Sequence, residues 1–567
     1  MSHSEKNRFG MDEVNKKEKI YITVYFLAVI GLIIARFLYG NCLVASYSSD
    51  EGVDATLQFI KALNFWQGEW MGQYDENALI KGCFYPIFAG TIFKLSLNYV
   101  VSIQAFYIIS CLFTVYCFYP MIKRKWLALF ILAMLLINPM STSSESSTTY
   151  RSTIYYITAL VFMAGICGWA LRIGESRGNI CLLAGSLFYG ISINTREDSQ
   201  WLTLFFVVTV LVFALIYLRY YKKSWIKLLA VLSVAVLLCC LPSFLIAKTN
   251  EKYYGVFLTE DYNSGEFARA CGALARPYSS REDVAHYPIP EDVRLKLYEI
   301  SPSFKELQPY LEGDGSATRW KAFGDGTDYH NGWVTYALRT AALSAGYYKD
   351  AVSTEEYWKR VADEVNHACD RGVIDARKGH LKGIAAPFSS EYIIPVAQNT
   401  LKAMWYAARC EYVTPLLDYI ESDKELVDKI EGILHSHINA SYRNEQGLLM
   451  AYVDLNSNGY KLIVTVNRIY QIVMSVLFPM AVLIMVGCFI NMLRKKEIQY
   501  TIKVIILCAV FCLLLARAVM LAYVDVTAYS TIVRPLYMNN CYVICELFVL
   551  LAFAFVFSER CSKVDEQ

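Results

Sequence analysis

Long runs of apolar residues dominate this 567-residue sequence and leave few folds open to it. About 20 apolar residues are the length that an α-helix needs to cross the hydrocarbon core of a bilayer, where lipid-exposed irregular chain is not stable. Runs near that length occur at about 20–39, 99–121, 126–138, 153–171, 179–193, 201–218, 227–247, 462–492, 501–523 and 535–557. The sequence therefore predicts a mainly α-helical, polytopic membrane protein with about ten transmembrane helices.

Composition supports the same class and excludes others. Hydrophobic residues make up 56% of the chain and charged residues 18%, whereas soluble domains run near 45–50% and 25%. Fifty-three basic residues against 51 acidic ones leave a formal charge of +2, so there is no general basic field to attract nucleic acid. A cytosolic enzyme, a disulfide-stapled secreted module and a nucleic-acid binder are therefore excluded.

Lysine and arginine clusters indicate the orientation, because cytoplasmic loops carry an excess of both. With ten spans, every basic cluster falls on the side of the N-terminus; dropping either short run, 126–138 or 179–193, breaks this regularity. The sequence thus predicts a multi-pass cell-membrane protein with both termini in the cytoplasm. The clusters are Lys6 to Lys19, Lys123 to Lys125, Arg172 with Arg177, Arg219 to Lys227, and Arg494 to Lys496.

Three regions follow from the distribution of the runs. Residues 1–248 form an N-terminal transmembrane module whose first outer loop, 41–98, contains an amphipathic stretch suited to the membrane interface. Residues 249–460 form a mainly helical extracytoplasmic domain, and residues 461–567 form a C-terminal module of three transmembrane helices. Within the outer domain, Ser353 and Glu356 have capping-box spacing ahead of a helix that ends near Gly372, with Tyr357, Val361 and Val365 on one face.

Cysteines give no disulfide framework. Most of the 17 lie in the apolar runs, where they behave as small apolar residues. Five lie outside these runs at no recognisable spacing, and the sequence leaves open whether any two of them pair. They are Cys42, Cys83, Cys271, Cys369 and Cys410.

Charged and aromatic residues gather at the outer ends of the predicted spans. Charged groups near membrane depth are costly and usually mark function. One further cation, Arg517, lies well inside the ninth run. The residues at the outer face are Asp50, Glu51, Asp54, Lys81, Tyr85, Glu145, Tyr150, Arg151, Arg196, Glu197, Asp198, Arg534 and Tyr537.

Such a face suits transfer of a sugar from a polyprenyl-phosphate donor to an extracytoplasmic acceptor. The anomeric carbon of that donor lies at the interface, and its leaving group is a phosphate, whose charge cations stabilise. A carboxylate can take the proton of the attacking hydroxyl, and attack opposite the phosphate inverts the anomeric centre. The candidate cations are Lys81, Arg151, Arg196 and Arg534; the candidate bases are Asp50 or Glu51, then Glu145, Glu197 and Asp198.

Each set of charged residues also has an alternative interpretation as a purely structural feature. Asp50 and Glu51 fit a solvated loop, and Arg196 to Asp198 fit an interfacial salt-bridge cluster. Lys81 and Arg534 can extend their charges to lipid headgroups, and Arg517 can pair with a neighbouring helix. Only the convergence of these residues on one face favours chemistry.

The order of motifs in the first outer loop resembles a known superfamily. An acidic pair (Asp50, Glu51) follows the first span, then an interfacial helix, then Gly68-Glu-Trp, Tyr74 and Lys81-Gly-Cys-Phe-Tyr-Pro86. This order is similar to that of the GT-C-type membrane glycosyltransferases, among them the protein O-mannosyltransferases and the aminoarabinose transferases of lipid A.

The resemblance implies roles for individual residues. It implies that Asp50 is the catalytic carboxylate with Glu51 as its neighbour, that Lys81 contacts the donor phosphate, and that Glu145 corresponds most nearly to the second acidic residue of the family. The chain departs from the family at Lys81, where a Lys-Pro-Pro-like run is common. It most resembles an uncharacterised bacterial branch with Asn-Pro after the third span (Asn138-Pro139) and a Thr-Arg-Glu-acidic motif (Thr195–Asp198).

Other chemistry has less support. The histidines of the outer domain fit no standard zinc spacing, so no metal site is predicted, although the superfamily leaves a divalent cation open. The membrane lipid and a lipid-linked sugar are the expected partners. A transporter or flippase of lipid-linked glycans is an alternative that requires polar residues at the bilayer midplane, and a non-catalytic receptor or assembly protein is a third.

Overall fold

The structure is a computed structural model. It describes residues 3–47, 54–221, 225–281, 285–380, 382–384, 386, 388–415, 420–443, 446–451, 457–495 and 497–565. The chain is mainly helical. Its helices are α1 His3–Tyr39, α2 Ala55–Gln67, α3 Phe84–Lys94, α4 Tyr99–Ile122, α5 Lys125–Leu136, α6 Ser152–Leu171, α7 Ser176–Ile193, α8 Gln200–Ile216, α9 Trp225–Tyr254, α10 Gly265–Leu274, α11 Glu291–Ile300, α12 Pro302–Lys305, α13 Gln308–Leu311, α14 Trp333–Ser344, α15 Ala351–Asp370, α16 Ile393–Arg409, α17 Lys424–Leu434, α18 Asn458–Arg494, α19 Ile498–Thr527 and α20 Pro535–Asp565.

Eight of these helices are long and apolar enough to cross a membrane, which confirms a polytopic, helical membrane protein. The runs at 126–138 and 179–193 form α5 and α7, which are not among these eight. Twelve residues of α5 extend only about 18 Å at 1.5 Å per residue, against a hydrocarbon core of about 30 Å. The 18-residue α7 includes Arg177, Asn179, Ser186 and Ser192, which lower its apolar content. The eight are α1, α4, α6, α8 (extended to Tyr220), α9, α18, α19 and α20.

Helix α6 forms the centre of the bundle and α1 its periphery. In α6, 94% of the most apolar stretch is buried, against 6% in α1. Helices α4, α7 and α20 pack around α6. Small residues permit the closest approach: a Cβ on Gly165 of α6 would lie 2.6 Å from the carbonyl oxygen of Cys181 in α7. The surface of α1 is therefore left to contact lipid.

The first outer loop contains the expected amphipathic helix, α2. Leu57, Phe59 and Ala62 are buried against α3, whereas Ile60 and Trp66 are exposed. The helix ends at Gly68, whose φ of 90° lets its N–H close the last turn.

The large domain between α9 and α18 is mainly helical, as expected, with a small three-stranded sheet of β1 Ile420–Glu421, β2 Ala440–Arg443 and β3 Leu449–Ala451. β1 pairs parallel with β2, and β2 pairs antiparallel with β3. Tyr357, Val361 and Val365 are buried on one face of α15, as predicted. The predicted cap of α15 is wrong: the helix begins at Ala351, two residues before Ser353, and the Asp350 carboxylate caps it by accepting the Ser353 N–H at 2.9 Å.

Ion pairs and hydrogen bonds join this domain to the first outer loop and to the bundle. Arg339 in α14 pairs with Asp261 through two hydrogen bonds of 2.6 and 2.7 Å and also donates to the carbonyl oxygen of Glu76. Asn399 in α16 donates to Asp525 in α19 at 2.9 Å. The end of the bundle beneath this domain is the end at which the polar residues converge.

A serine- and threonine-rich segment between α5 and α6 is buried although its backbone is irregular. It forms two 3₁₀ turns, Pro139–Thr142 and Ser144–Ser146. Its first side chain, Asn138, donates to Glu546 at 2.7 Å and accepts from the Met140 N–H. Irregular chain at membrane depth needs such internal partners, since lipid supplies none.

None of the five outer cysteines forms a disulfide. Cys42, Cys83, Cys271, Cys369 and Cys410 are all free thiols, and four of them are buried. The structure therefore has no disulfide bond among the five cysteines whose pairing the sequence left open.

Candidate functional site

Seven charged side chains from distant parts of the sequence meet at the end of the bundle beneath the large domain. They come from the start of α2, the loop before α3, the start of α6, the α7–α8 connection and α19. We call them the charge cluster: Asp54, Lys81, Arg151, Arg196, Glu197, Asp198 and Arg517.

Lys81 and Asp54 form the first ion pair of the cluster. The lysine side chain is 7% exposed, whereas that of Asp54 is 47% exposed, so the pair connects the interior with solvent. Tyr150 lies beside it: its hydroxyl donates to Asp54 Oδ1 at 3.4 Å, and Lys81 Nζ is 5.6 Å from the centre of its ring. Arg151 Nε in turn donates to the Tyr150 hydroxyl at 3.0 Å, which links this pair to the next.

Glu197 and Arg151 form the second ion pair, and both are nearly buried. Glu197 also accepts the Gly82 N–H at 2.8 Å. Only glycine fits at position 82, because a Cβ there would lie 2.2 Å from the carbonyl oxygen of Asn194. Burial raises the pKa of Glu197, but the Arg151 charge and these hydrogen bonds outweigh it, so the pKa is lowered and the group stays a carboxylate.

Asp198 is shared by two arginines. Arg196 binds it through Nε and Nη2, at 2.9 and 3.2 Å, and Arg517 Nη1 binds the Oδ2 atom at 2.9 Å. Burial opposes the charged form of Asp198, but the two guanidinium groups hold its pKa far below the usual range. Arg196 also lies between the rings of Tyr155 and Tyr537, with 5.4 and 5.3 Å to their centres.

Positive charge exceeds negative charge around Asp198. Two guanidinium groups, those of Arg196 and Arg517, meet this one carboxylate, whereas Lys81 and Arg151 each pair with a carboxylate of their own. Two buried cations on one carboxylate favour an additional anion there.

Glu145 lies close to the cluster without joining it. It sits in the second 3₁₀ turn and is half-buried. Burial raises its pKa to about 7, and the Arg196 charge opposes that rise. Among the described residues, no hydrogen bond to its carboxylate is found. At neutral pH this group therefore exchanges a proton readily.

Glu260 is a second carboxyl group with a raised pKa beside the cluster. It accepts the N–H groups of Tyr262 and Asn263, and Asn263 in turn donates to the backbone oxygen of Glu197 at 3.2 Å. Burial, then the charges of Glu197 and Asp261, raise its pKa to about 8. The sequence offered no signal for this residue.

The remaining expected site residues are placed differently. Asp50 and Glu51 lie outside the described residues. Tyr85 is fully buried and its hydroxyl pairs with that of Tyr99 at 2.7 Å, so it supports the loop from within. Arg534 is exposed. Tyr537, one turn later, contacts Arg196 through its ring and Arg517 through its carbonyl oxygen.

Arg517 was expected only as a partner for another helix. It is fully buried and joins Asp198, in the α7–α8 connection, to the carbonyl oxygen of Tyr537 in α20 at 3.0 Å. A lone arginine inside an apolar run does predict a carboxylate partner. Which carboxylate it is depends on the packing of α19 against α8, which the sequence does not reveal.

Comparison with known proteins gives little further information. No protein-family model matches the chain, and no curated protein matches it. Among solved structures, the chain is similar to ArnT from Cupriavidus metallidurans in the apo state, with 15% identity and a TM-score of 0.28 over 95% of this chain and 78% of that one.

Proposed function

We propose that this chain is an integral membrane glycosyltransferase of the GT-C type, which moves a sugar from a polyprenyl-phosphate donor to an acceptor hydroxyl in the cell envelope. The observation that carries the proposal is the charge cluster, with its buried excess of positive charge at one end of a helical membrane bundle. A lipid-linked phosphate is the anion that a site in this place meets.

The charge balance supports a phosphate ligand. The carboxylates of the cluster offset most of the positive charge of its cations. The positive charge that Asp198 leaves unbalanced between Arg196 and Arg517 favours a phosphate oxygen. Arg196 and Arg517 share one carboxylate, so each has N–H groups that Asp198 does not use. Cations aimed at the phosphate stabilise the negative charge that develops on it as the bond to the sugar breaks.

The transfer needs a proton acceptor. In the proposed step, the acceptor oxygen attacks the anomeric carbon, the carbon–oxygen bond to phosphate breaks, and the polyprenyl phosphate leaves with the electron pair. The hydroxyl proton passes to a carboxylate, which we assign to Asp50, with Glu51 beside it. Asp54, four residues further on in the sequence, pairs with Lys81 in the cluster, and this contact supports the proposal.

Glu145 is proposed as a second proton carrier and not as a phosphate ligand. Its carboxyl group is close enough to Arg196 to interact electrostatically, and its pKa of about 7 matches the working pH of a general acid or base. Glu197 and Asp198 do not fit this role, because their arginine partners keep them ionised. We assign both a positioning role, holding Arg151, Arg196 and Arg517.

A divalent cation does not fit the described donors. Asp54, Glu197 and Asp198 are each paired with a lysine or arginine, and no group of three or more potential ligands occurs among the residues searched. The proposed reaction therefore uses only side chains of this chain.

The proposed topology follows the charge distribution. The large domain and the charge cluster lie at one end of the bundle, which we assign to the extracytoplasmic side, with both termini in the cytoplasm. The three regions keep the bounds 1–248, 249–460 and 461–567. Accessibility of single introduced cysteines to a membrane-impermeant thiol reagent, in a variant without reactive native thiols, tests this assignment.

Transfer of labelled sugar in proteoliposomes tests the function. Wild type should transfer label from one member of a panel of polyprenyl-phosphate hexoses and pentoses to an envelope extract. Asp50→Asn should reduce the rate at least about 100-fold, since a positioned base contributes 10²–10⁴-fold. Lys248→Ala, which removes an exposed ion pair with Glu251, is the control. Full activity of Asp50→Asn would contradict the assigned base.

One observation favours a second candidate, a transporter or flippase of lipid-linked glycans. Glu546 is fully buried about 16 Å along α20 from Pro535, near the middle of a 30 Å core. Its Oε2 atom accepts from Asn138, and no partner for Oε1 is found among the described residues. Movement of a fluorescent polyprenyl-phosphate sugar across liposomes, lost in Glu546→Gln, would favour transport over transfer.

A further inference from the structure

A cavity of about 820 Å³ opens beside α1 and α4, and none of the charge cluster lines it. Its walls are the end of α1, the start of α4, the end of α17 and the start of α18. The volume lies in the range of small-molecule sites, about 300–1,000 Å³. It is therefore large enough for the polar headgroup of a lipid.

The walls of the cavity change character along its depth. Phe37, Val100 and Val101, at the ends of two spanning helices, form an apolar part. Glu431, His435 and His437, from α17 and the residues after it, form a polar part. Glu431 accepts from His437 Nδ1 at 3.1 Å, or donates if protonated, and it accepts the Ile438 N–H at 2.9 Å. An amphipathic ligand matches both parts at once.

The charge of the lining selects the headgroup. None of the residues that line the cavity in the described part of the chain is lysine or arginine. A phosphate headgroup placed there would lose water without meeting a lysine or arginine among these lining residues and would lie close to the Glu431 carboxylate. Imidazole, carboxylate and backbone groups instead suit hydroxyls, which both donate and accept.

One wall of the cavity contains a glycine, Gly432. Gly432 lies inside α17, where glycine is destabilising by roughly 0.5–1 kcal/mol relative to alanine. A Cβ added at this position would meet no atom within 4 Å, so neighbouring atoms do not force this residue to be glycine. A larger side chain on this wall would occupy the cavity.

A second crevice of about 170 Å³ lies along the same pair of helices and is lined by aliphatic and tyrosine side chains. Tyr25 and Val29 of α1, Leu112 and Tyr116 of α4 and Leu132 of α5 are among its walls. It is separated from the cavity by about 8 residues of α1, or roughly 12 Å, in the direction of the membrane interior. The cavity has room for the headgroup of a lipid, and the crevice lies where part of its acyl chain would be.

We infer that the cavity and the crevice bind one lipid, whose uncharged, hydroxyl-rich headgroup occupies the cavity and whose chain follows α1 and α4 to the crevice. This site is separate from the charge cluster, which is suited to phosphate. Binding here does not depend on sugar transfer, so the inference goes beyond the proposed function and can fail or succeed without it.

Photo-crosslinking of the full chain in nanodiscs tests the inference. The probe is glucosyl diacylglycerol with a diazirine in one acyl chain, and labelled peptides are identified by mass spectrometry. We expect saturable labelling of α1 and α4 that excess unlabelled glucosyl diacylglycerol suppresses at least fivefold and excess phosphatidylglycerol does not. Equal suppression by both lipids would overturn the inference, because it would show general lipid contact.

Cavity-filling variants make the test specific. Gly432→Phe should reduce labelling at least fivefold. The matched control is Gly487→Phe, which makes the same change at another helical glycine with open space around it, in α18 away from the cavity. Val101→Trp fills the cavity from α4 and replaces Gly432→Phe if that variant does not fold. Unchanged labelling in the folded cavity variants would also overturn the inference.

Discussion

The molecule contains two buried networks of arginines and carboxylates that look alike and differ in charge balance. In the large domain, one guanidinium group, that of Arg294, binds two carboxylates, Glu312 and Asp328, and Arg281 lies 4.0 Å from Asp328. In the charge cluster, two arginines share one carboxylate, Asp198. Negative charge exceeds positive charge around Arg294, whereas the reverse balance around Asp198 favours an additional anion.

Exposure differs at the centre of the two networks, although Arg281 and Glu312 at the edge of the first are 30% and 18% exposed. Arg294 is fully buried and Asp328 is 2% exposed, so solvent and ligands cannot reach their contact. In the charge cluster, Asp54 and Asp198 are 47% and 34% exposed. Buried ion pairs are by themselves weak evidence of function. Excess charge together with access is what distinguishes a binding site from a structural pair.

The largest expected effect is on stability, from Arg294→Met. This change leaves Glu312 and Asp328 buried without their main partner, and breaking a buried pair costs about 3–5 kcal/mol. We expect a large fall in the thermal midpoint of the protein in detergent, or no folded protein at all. A stability close to that of wild type would show that this network is not what holds the domain together.

Arg196→Met should reduce sugar transfer strongly and stability only weakly. Asp198 keeps Arg517 as its partner, so no carboxylate is left unpaired and the thermal midpoint should fall less than in Arg294→Met. Transfer should fall by about 10²–10³-fold, the usual effect of removing one group that stabilises developing charge. Comparable stability loss in both variants, with transfer intact in Arg196→Met, would remove the distinction between the networks.

Stability should depend on pH through Glu260. Its pKa is about 8 in the folded protein, against about 4.3 for an unperturbed glutamate, so the folded state binds the proton more tightly than the unfolded state. This contribution to stability is present in full below about pH 4 and is lost as pH rises to 8. Glu260→Gln should flatten the fall in thermal midpoint between pH 5 and 8, and an unchanged slope would contradict the assigned environment.

The smallest expected effect comes from Arg534→Ala. Its side chain is exposed, and a surface charge contributes about 0–1 kcal/mol. We expect a loss of donor affinity of a few-fold at low salt that disappears at high salt, measured as the concentration dependence of transfer. A loss as large as that of Arg196→Met would place this arginine in direct contact with the phosphate.

The sequence was sufficient for the class of fold and for the membership of much of the cluster. Apolar runs predict the long helices directly, since eight of the ten runs coincide with helices that are long and apolar enough to cross a bilayer. Lys81, Arg151, Arg196, Glu197 and Asp198 were expected together at one face, and the structure brings them together.

The pairing within the cluster was not predictable. Arg517 is 319 residues from Asp198, and their contact follows from how α19 packs on α8. Apolar periodicity also says little about α5, which ends after 12 residues because the chain turns inward at Asn138 toward Glu546. The cap of α15 was missed for a local reason: Asp350, three residues before Ser353, caps the helix by accepting the Ser353 N–H, so Ser353 lies within the first turn.

The most direct test of the central claim is an experimental structure with a polyprenyl phosphate bound. We predict the phosphate within about 4 Å of Lys81, Arg196 or Arg517, with Asp50 on the side from which an acceptor approaches. A phosphate bound in the cavity beside α1 and α4, or at a distance from all three cations, would contradict the claim that the charge cluster is the donor site.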